Sequence, residues 1–426
     1  MSAHRIGLWL RREIVDRLLF HGRPVVCALA FVWRRLLFRT TFVAITGSLG
    51  KTTARECVAA CLASRFPTSC PRGDTNADGW LALGVLRVRP WHRFAVFEVA
   101  AGAPGRIAGR LPFIRPDIAV VLSVTRTHTT AYSTLDACAA EKGQLVAGLR
   151  PGGVAVLNAD DPRVTAMTPP DGCFVRRFGT GAEADLLGQV IDARWPARLS
   201  LRASWAGQTE TVHTRLVGEH WLPAVLASLA VACHAGLTLR QAAVALGKVA
   251  PLTGRMQPIR LPGGATVLRD DYNAPIDTLD AGLRVLEGVT GTRRILLVTD
   301  FSDSGTHRRL RLRYLAQAAA RSTDVAIFVG RNARYGGRQA VEAGMAPERV
   351  HDFDSLEETA RFLRSELGLG DLLLLKGRTT DHATRVFHAL LGPIRCWKTA
   401  CRRRVPCDLC WELGPHHTVD RPATPL

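Results

Sequence analysis

Hydrophobic and polar positions along the chain follow a repeating order. Short apolar runs at 41–45, 94–99, 118–123 and 153–157 are interleaved with turns and with stretches whose apolar positions recur at helical spacing, as at 52–64. Apolar runs without polar alternation describe strands buried on both faces, and strands alternating with helices predict a parallel sheet covered on both sides. Two Ala-rich helical stretches, 222–235 and 239–246, follow. After a junction at 254–257 the order repeats on a smaller scale, with strands at 265–268, 294–299, 325–329 and 371–375. The expected architecture is α/β, a central domain over 41–252 with a mainly parallel sheet and a smaller Rossmann-like domain over 253–394.

The two ends differ from this pattern. Residues 1–40 hold eight Arg and no Lys, and Leu10, Ile14, Val15, Leu18 and Leu19 recur at helical spacing before Pro24 interrupts. Two short helices are expected, and they read equally well as docked on the next domain or as lying at a membrane surface. The apolar run 25–33 is too short to span a bilayer, which needs about 20 residues. With no signal-peptide pattern either, the chemistry is expected in the cytoplasm, with peripheral membrane contact through residues 1–40 as an added expectation. Beyond Pro393 the composition turns to Cys, Arg, Pro and His, which marks residues 395–426 as a tail.

Composition narrows the function. A length of 426 residues allows two or three domains, and 47% hydrophobic with 22% charged residues is ordinary for a folded protein. The net charge of +19 comes mostly from Arg spread along the chain. No nucleic-acid motif accompanies it and aromatics are only 7%, so a nucleic-acid partner is not expected; anionic substrates or lipids are. Eleven cysteines in a cytoplasmic chain of this size are not a disulfide framework. Cys396, Cys401, Cys407 and Cys410 cluster, however, with His416 and His417 nearby. Only Cys407-x-x-Cys410 has a zinc-knuckle spacing, leaving a structural Zn²⁺ and a basic tail with reduced thiols as alternatives.

The sharpest chemical signal is Ile45-Thr46-Gly47-Ser48-Leu49-Gly50-Lys51-Thr52-Thr53. A strand delivers a glycine turn into a helix start, so the backbone N–H groups of 47–53 converge on phosphate oxygens. Lys51 reaches the terminal phosphates and Thr52 binds Mg²⁺. Glu98, between Phe97 and Val99 on a buried strand, needs a partner, because an unpaired buried carboxylate costs several kcal/mol.

With Ile45 where a full Walker A motif has its first glycine, the form Thr-Gly-x-x-Gly-Lys-Thr-Thr resembles the Mur ligase and folylpolyglutamate synthase superfamily. Further segments over 41–392 match in order, most like the muramyl peptide ligases that add D-alanyl-D-alanine. They are Gly73-Asp74-Thr75-Asn76, Phe97-Glu98-Val99, Val124 to His128, Ala140-Glu141-Lys142-Gly143, Leu157 to Pro162, Gly218-Glu219-His220, Gly254-Arg255-Met256-Gln257, Asp270 to Ala274 and Lys376-Gly377-Arg378. The resemblance implies ATP-dependent joining of a carboxylate to an amine or amino acid through an acyl phosphate, with ATP and two Mg²⁺ ions. It implies Thr52, Glu98, His128 and a carbamylated Lys142 as metal ligands, and Lys51, His128, Lys142 and Arg255 as catalytic residues. Gly47, Ser48, Leu49, Gly50, Lys51, Thr52, Thr53, His220, Arg255, Asp270 and Asn273 bind the nucleotide; Asn76, Lys376 and Arg378 are substrate-side candidates.

Three departures stand out. Trp221 follows His220 where the family carries Asn, Thr129 follows His128 where an acidic residue is common, and only 40 residues precede the P-loop strand, too few for the usual UDP-sugar domain. A capsule, polyglutamate or amidating ligase with another substrate is therefore an alternative. A nucleotide-binding scaffold with decayed catalysis and a P-loop kinase are two further ones. Retained Lys51, Glu98, Lys142 and Arg255 argue against decay, and a kinase leaves the second domain unexplained.

Overall fold

The structure, a computed structural model, describes residues 21–71, 77–125, 131–299, 308–398 and 406–414, with Val15, Leu19 and Cys401. Two sheets organise it. The first has nine strands in the order β2-β3-β1-β4-β5-β6-β7-β8-β9. These are β1 (Thr41–Thr46), β2 (Thr68–Ser69), β3 (Phe94–Glu98), β4 (Ile118–Val121), β5 (Val154–Asn158), β6 (Phe174–Gly179), β7 (Leu186–Asp192), β8 (Ser200–Trp205) and β9 (Gln208–His213). Strands β1 to β7 pair in parallel, and β8 and β9 extend the sheet antiparallel beyond β7.

β1, β3, β4 and β5 lie within the apolar runs of the sequence, and their burial on both faces is why those runs lack polar alternation. Strands β6 to β9 were not foreseen. Arg177, Gln189, Arg202, Thr209 and Thr211 give them one wet face, so no continuous apolar run marks them.

The second sheet has six strands in the order β10-β11-β15-β12-β13-β14. They are β10 (Gln257–Arg260), β11 (Thr266–Asp270), β12 (Arg294–Val298), β13 (Val325–Val329), β14 (Val350–Phe353) and β15 (Leu372–Lys376). Only β10 runs antiparallel to its neighbour. The apolar string Leu372-Leu373-Leu374-Leu375 is wholly buried between β11 and β12. One apolar cluster runs from Ile45 and Val58 through Leu226 to Met256, Leu283 and Leu374, so helix faces of the first sheet and of the second share a core.

The N-terminal region yields a described helix, Arg23–Leu36, with Pro24 in its first turn instead of breaking it. Arg34 fastens this helix to the first sheet. Its guanidinium donates to Asp117 Oδ2 at 2.9 Å and to the carbonyls of Ile114 and Arg115, and it lies 3.8 Å from the Phe42 ring centroid. Burial lowers the Arg34 pKa to about 10, against the opposing pull of Asp117. Among the described residues no helix is long and apolar enough to cross a membrane.

Candidate active site

β1 lies between β3 and β4, and Ile45 is level with both Glu98 and Val120. The strand therefore empties into the turn beside the carboxylate of Glu98. Gly47 adopts φ +152° within reach of the next strand's exit; a Cβ there would stand 2.8 Å from Leu122 Cβ. Gly50 turns at φ +75° and starts the helix Lys51–Ala63. No side chain caps that helix, so its first N–H groups face the turn, the arrangement that binds phosphate. Ser48 steadies the loop, its N–H donating to Ser123 O at 2.8 Å and its Oγ accepting from Thr125 N at 2.8 Å. Leu49 is half-buried, and Thr53 is buried at the helix start.

Lys51 folds back over the loop, and its Nζ donates to Gly47 O at 2.8 Å and Ser48 O at 3.2 Å. Burial, the largest influence, lowers its pKa to about 8; Glu98 opposes this, while Lys142 and Arg255 add to it. Thr52 Oγ1 donates to Glu98 Oε2 at 2.7 Å and accepts from Arg255 Nη2 at 3.0 Å. Arg255 comes from the junction, 203 residues along the chain, with its guanidinium 4.7 Å from the Tyr272 ring centroid. Phosphate loop, strand carboxylate and junction arginine thus meet at one hydroxyl.

Lys142 is fully buried on helix Leu135–Ala147, and its Nζ donates to Cys138 Sγ at 2.7 Å. Its neighbour Glu141 faces elsewhere, accepting from Gly105 N and Ile107 N at 2.7 Å each at the start of helix Arg106–Ile114. His128 and Asn76 lie outside the described residues.

On the second sheet, Asp270 ends β11 and Lys376 ends β15, level with each other. Lys376 Nζ donates to Asp270 Oδ2, to Thr278 Oγ1 at 2.8 Å and to Asn273 O at 3.1 Å. It is completely buried, so it holds the Asp270–Asn273 loop in place and offers no open ammonium. Burial raises the Asp270 pKa and lowers that of Lys376, each moderated by the other's charge. Arg378 forms a fork with Asp381, at 2.8 and 2.6 Å, and Thr299 Oγ1 donates to the same carboxylate at 2.8 Å.

His220 lies tilted against Trp221, with ring centroids 4.5 Å apart, and burial together with the charges of Lys376 and Arg284 lowers its pKa to about 3. It is neutral across the physiological range. Trp221 is buried in the shared core, so the residue standing where Asn is usual performs a packing role.

A structural Zn²⁺ at the tail cysteines is not supported. Among the described residues no three His, Cys, Asp or Glu side chains are grouped to hold a metal. Cys396 and Cys407 pack with Leu413 in a small apolar core, and Cys407 Sγ lies 3.3 Å from His382 Nδ1. None of the eleven cysteines is in a disulfide.

Sequence reasoning missed Cys138, although it stands one helical turn before Lys142. It also passed over a compositional signal. Only five of the 56 basic residues are Lys, at 51, 142, 248, 376 and 398. Three of those five occupy the positions just described. An ammonium can lose its proton, be carbamylated or fit a compact donor cage, which a guanidinium cannot do.

Fold and site together define a P-loop nucleotide-dependent ligase whose phosphate loop is completed from a second α/β unit. The Mur ligase middle domain model matches residues 45–232, and the model of the Mur ligase glutamate ligase domain matches residues 254–379. The chain is 31% identical over 379 residues to the UDP-N-acetylmuramoyl-tripeptide–D-alanyl-D-alanine ligase of Mycobacterium tuberculosis (strain CDC 1551 / Oshkosh), covering 84% of this chain and 74% of that one. It is 30% identical over 279 residues to the enzyme of the same name from Escherichia coli (strain K12), covering 64% and 60%. Crystal structure II of MurF from Acinetobacter baumannii superposes with a TM-score of 0.79 at 22% identity, over 87% of this chain and 80% of that one. MurF ligase from Thermotoga maritima in complex with ADP gives 0.73 at 22%, over 86% and 83%. The chain belongs to the Mur ligase family. It is an ATP-dependent ligase of the amide-forming class.

Proposed function

We propose that the protein joins a carboxylate substrate to an amine through an acyl phosphate, with catalysis divided between a nucleotide-binding domain ending near residue 252 and a second domain beginning near 253. The observation that carries this reading is the meeting of Thr52, Glu98 and Arg255 at one hydroxyl. A substrate carboxylate oxygen attacks the γ-phosphorus of ATP as the bond to ADP breaks. The amine nitrogen then attacks the acyl carbon, and phosphate leaves with the original carboxylate oxygen. Lys51 and Arg255 hold the γ-phosphate from opposite sides, and closure excludes water that would hydrolyse the acyl phosphate.

Mg²⁺ fits the site because Thr52 Oγ1 and Glu98 Oε2, both hard oxygen donors, already lie together. Bound there, it supplies charge neutralisation for phosphoryl transfer. Lys142 presents only an amine beside a thiol. Attack of the neutral amine on CO₂, with loss of one proton, converts it to an oxygen-bearing carbamate suited to a second ion. Lys142→Ala should then be inactive and partly rescued by acetate or propionate; absence of rescue in a folded variant counts against the carbamate.

The carboxylate substrate suggested by the relatives' names is a UDP-N-acetylmuramoyl-tripeptide, with D-alanyl-D-alanine as the amine. Incubation of carboxylate-¹⁸O substrate with ATP tests the route. Label in the released phosphate is expected, and label retained wholly in the amide, or found in AMP, sinks it.

A second observation bears on location. Helix Arg23–Leu36 turns Val25, Leu29, Val32 and Leu36 outward on one stripe, each more than half exposed, with Phe38 72% exposed beyond its end. From Arg17 to Arg55 the chain carries no acidic residue. An apolar stripe beside Arg35 and Arg39 suits the surface of an anionic bilayer. Co-sedimentation with phosphatidylglycerol vesicles, absent with phosphatidylcholine and lost in Val32→Asp, is the expected result. Equal sedimentation with both, or with neither, removes this reading.

A further inference from the structure

Lys142 differs from the other two lysines of the site in what it touches. Lys51 and Lys376 donate to oxygen, whereas Lys142 Nζ donates to sulfur, Cys138 Sγ at 2.7 Å. The two residues stand one turn apart on helix Leu135–Ala147, where side chains four positions apart lie one above the other. Lys142 is completely buried and Cys138 is 2% exposed, so amine and thiol are held together away from bulk water. Among the described residues Cys138 is the one hydrogen-bond partner of Lys142. Sulfur is a weak acceptor. The contact therefore fixes the two groups side by side without building the oxygen cage that surrounds Lys376.

The pair also faces the phosphate site. The charges of Lys142 and Cys138 both reach Lys51, the first adding to the lowering of its pKa and the second opposing it. A site that admits the terminal phosphate of a nucleotide admits a molecule as small as hydrogen peroxide. Cys57 and Cys61 offer the comparison. They lie in the apolar core on helix Lys51–Ala63, where burial pushes Cys57 up to about 12 and Cys61 well above the usual thiol range. Thiols buried among apolar groups in this way are inert. Cys138 has instead an amine nitrogen in contact with its sulfur, a nucleophile that a guanidinium would not supply.

We propose that Cys138 and Lys142 are a modification site, joined under oxidising conditions by a covalent sulfur–nitrogen bond that closes the ligase site. Hydrogen peroxide is the co-reactant. The Cys138 sulfur attacks one peroxide oxygen, the O–O bond breaks, and a sulfenic acid and water form. Lys142 Nζ then attacks that sulfur, the S–O bond breaks, and the hydroxyl leaves as water with one amine proton. One thiol, one amine and one peroxide thus give one sulfenamide and two waters; sulfur loses two electrons and peroxide gains them. Condensation with the amine spares Cys138 the irreversible sulfinic and sulfonic steps. A thiol reductant reverses it, attacking the sulfur and releasing the Lys142 amine. A second thiol then frees Cys138 as the reductant becomes its own disulfide. While the bond stands, the Lys142 nitrogen neither carries an ammonium charge nor takes up CO₂ as a free amine does. That loss of turnover rests on the ligase reading above; the bond itself does not.

The test treats full-length protein with hydrogen peroxide, alkylates it without reductant and digests it with trypsin, which does not cleave after a lysine whose nitrogen carries sulfur. Wild type should give a peptide uncut at Lys142, unalkylated at Cys138 and lighter by two hydrogens, and dithiothreitol should restore both cleavage and mass. Cys138→Ser keeps an acceptor for Lys142 but has no sulfur to link, and should give no such peptide. If this variant fails to fold, the wild-type peptide still decides. Oxygen added at Cys138 with Lys142 still cleaved overturns the proposal, as does an unmodified Cys138 when other thiols of the chain are oxidised. Turnover is measured on the same samples, each against its own untreated protein. Peroxide should lower wild-type ADP release about tenfold or more, reversibly, and that of Cys138→Ser by less than about twofold. Equal losses in the two proteins assign the inactivation to another thiol and overturn the closure of the site. A linked peptide from a protein that shows no carboxylate- and amine-dependent ADP release before treatment overturns the ligase reading and leaves the cross-link standing.

Discussion

Two lysines, one at the end of β15 and one at the helix start that follows β1, sit near carboxylates and serve different ends. Lys376 is held by a carboxylate, a hydroxyl and a carbonyl, a full set of partners for its three protons. Lys51 bonds only two carbonyls of its own loop, and Glu98 is bonded to Thr52 instead. The first ammonium is consumed by structure. The second is held in reserve, destabilised by burial until an anion arrives. A lysine's chemistry is therefore read from the partners it lacks as much as from those it has.

The contrast can be broken most forcefully at Lys376. Lys376→Met leaves Asp270 buried without its cation, and urea unfolding should show a loss of about 3–5 kcal/mol. Adding Asp270→Leu should restore much of that stability without restoring nucleotide binding. An unchanged urea midpoint in the single variant means that Lys376 is not the structural lysine described.

Lys51→Ala should do the opposite, keeping the unfolding midpoint while lowering turnover by about 10²–10³-fold or more, the effect of removing a preorganised charge from a transition state. Normal ATP consumption by a folded Lys51→Ala protein refutes the phosphate-clamp assignment. Arg255→Ala removes one charge-assisted hydrogen bond across the junction, worth about 1.5–3 kcal/mol, and should appear in both nucleotide affinity and turnover. A change in neither separates Arg255 from the site.

The smallest effect sharpens the contrast by pH. Because burial lowers Lys51 to a pKa of about 8, it is charged below that pH and loses its charge above it. Nucleotide affinity should therefore fall as pH rises through 8, by up to about tenfold per unit. In Lys51→Arg the same titration should be flat over this range, since a guanidinium keeps its charge. A wild-type profile as flat as the variant's contradicts the titration of Lys51.

Much of this was legible in the chain. Strand, glycine turn and Lys-Thr-Thr announced the phosphate loop, because its chemistry is local and lies within nine consecutive residues. Glu98 stood out because a carboxylate on an apolar strand demands a partner. Strands β6 to β9 were opaque, since one wet face replaces the continuous apolar run that betrays a buried parallel strand. The cysteine cluster left a zinc site and reduced thiols as alternatives, because spacing alone does not distinguish thiols that bind metal from thiols that pack.

The sequence by itself determined the alternation of strands and helices, the phosphate loop and the residue types for phosphoryl transfer, since each depends on neighbours a few positions apart. Only the tertiary structure decided which charges meet. Thr52 and Arg255 are 203 residues apart and Arg269 and Asp408 are 139 apart, yet each pair is in hydrogen-bond contact. Side-chain partners at such separations are set by how two sheets share a core and how the last segment folds back. Whether a buried lysine is a strut or a reserve of charge depends on those partners, which no local pattern encodes.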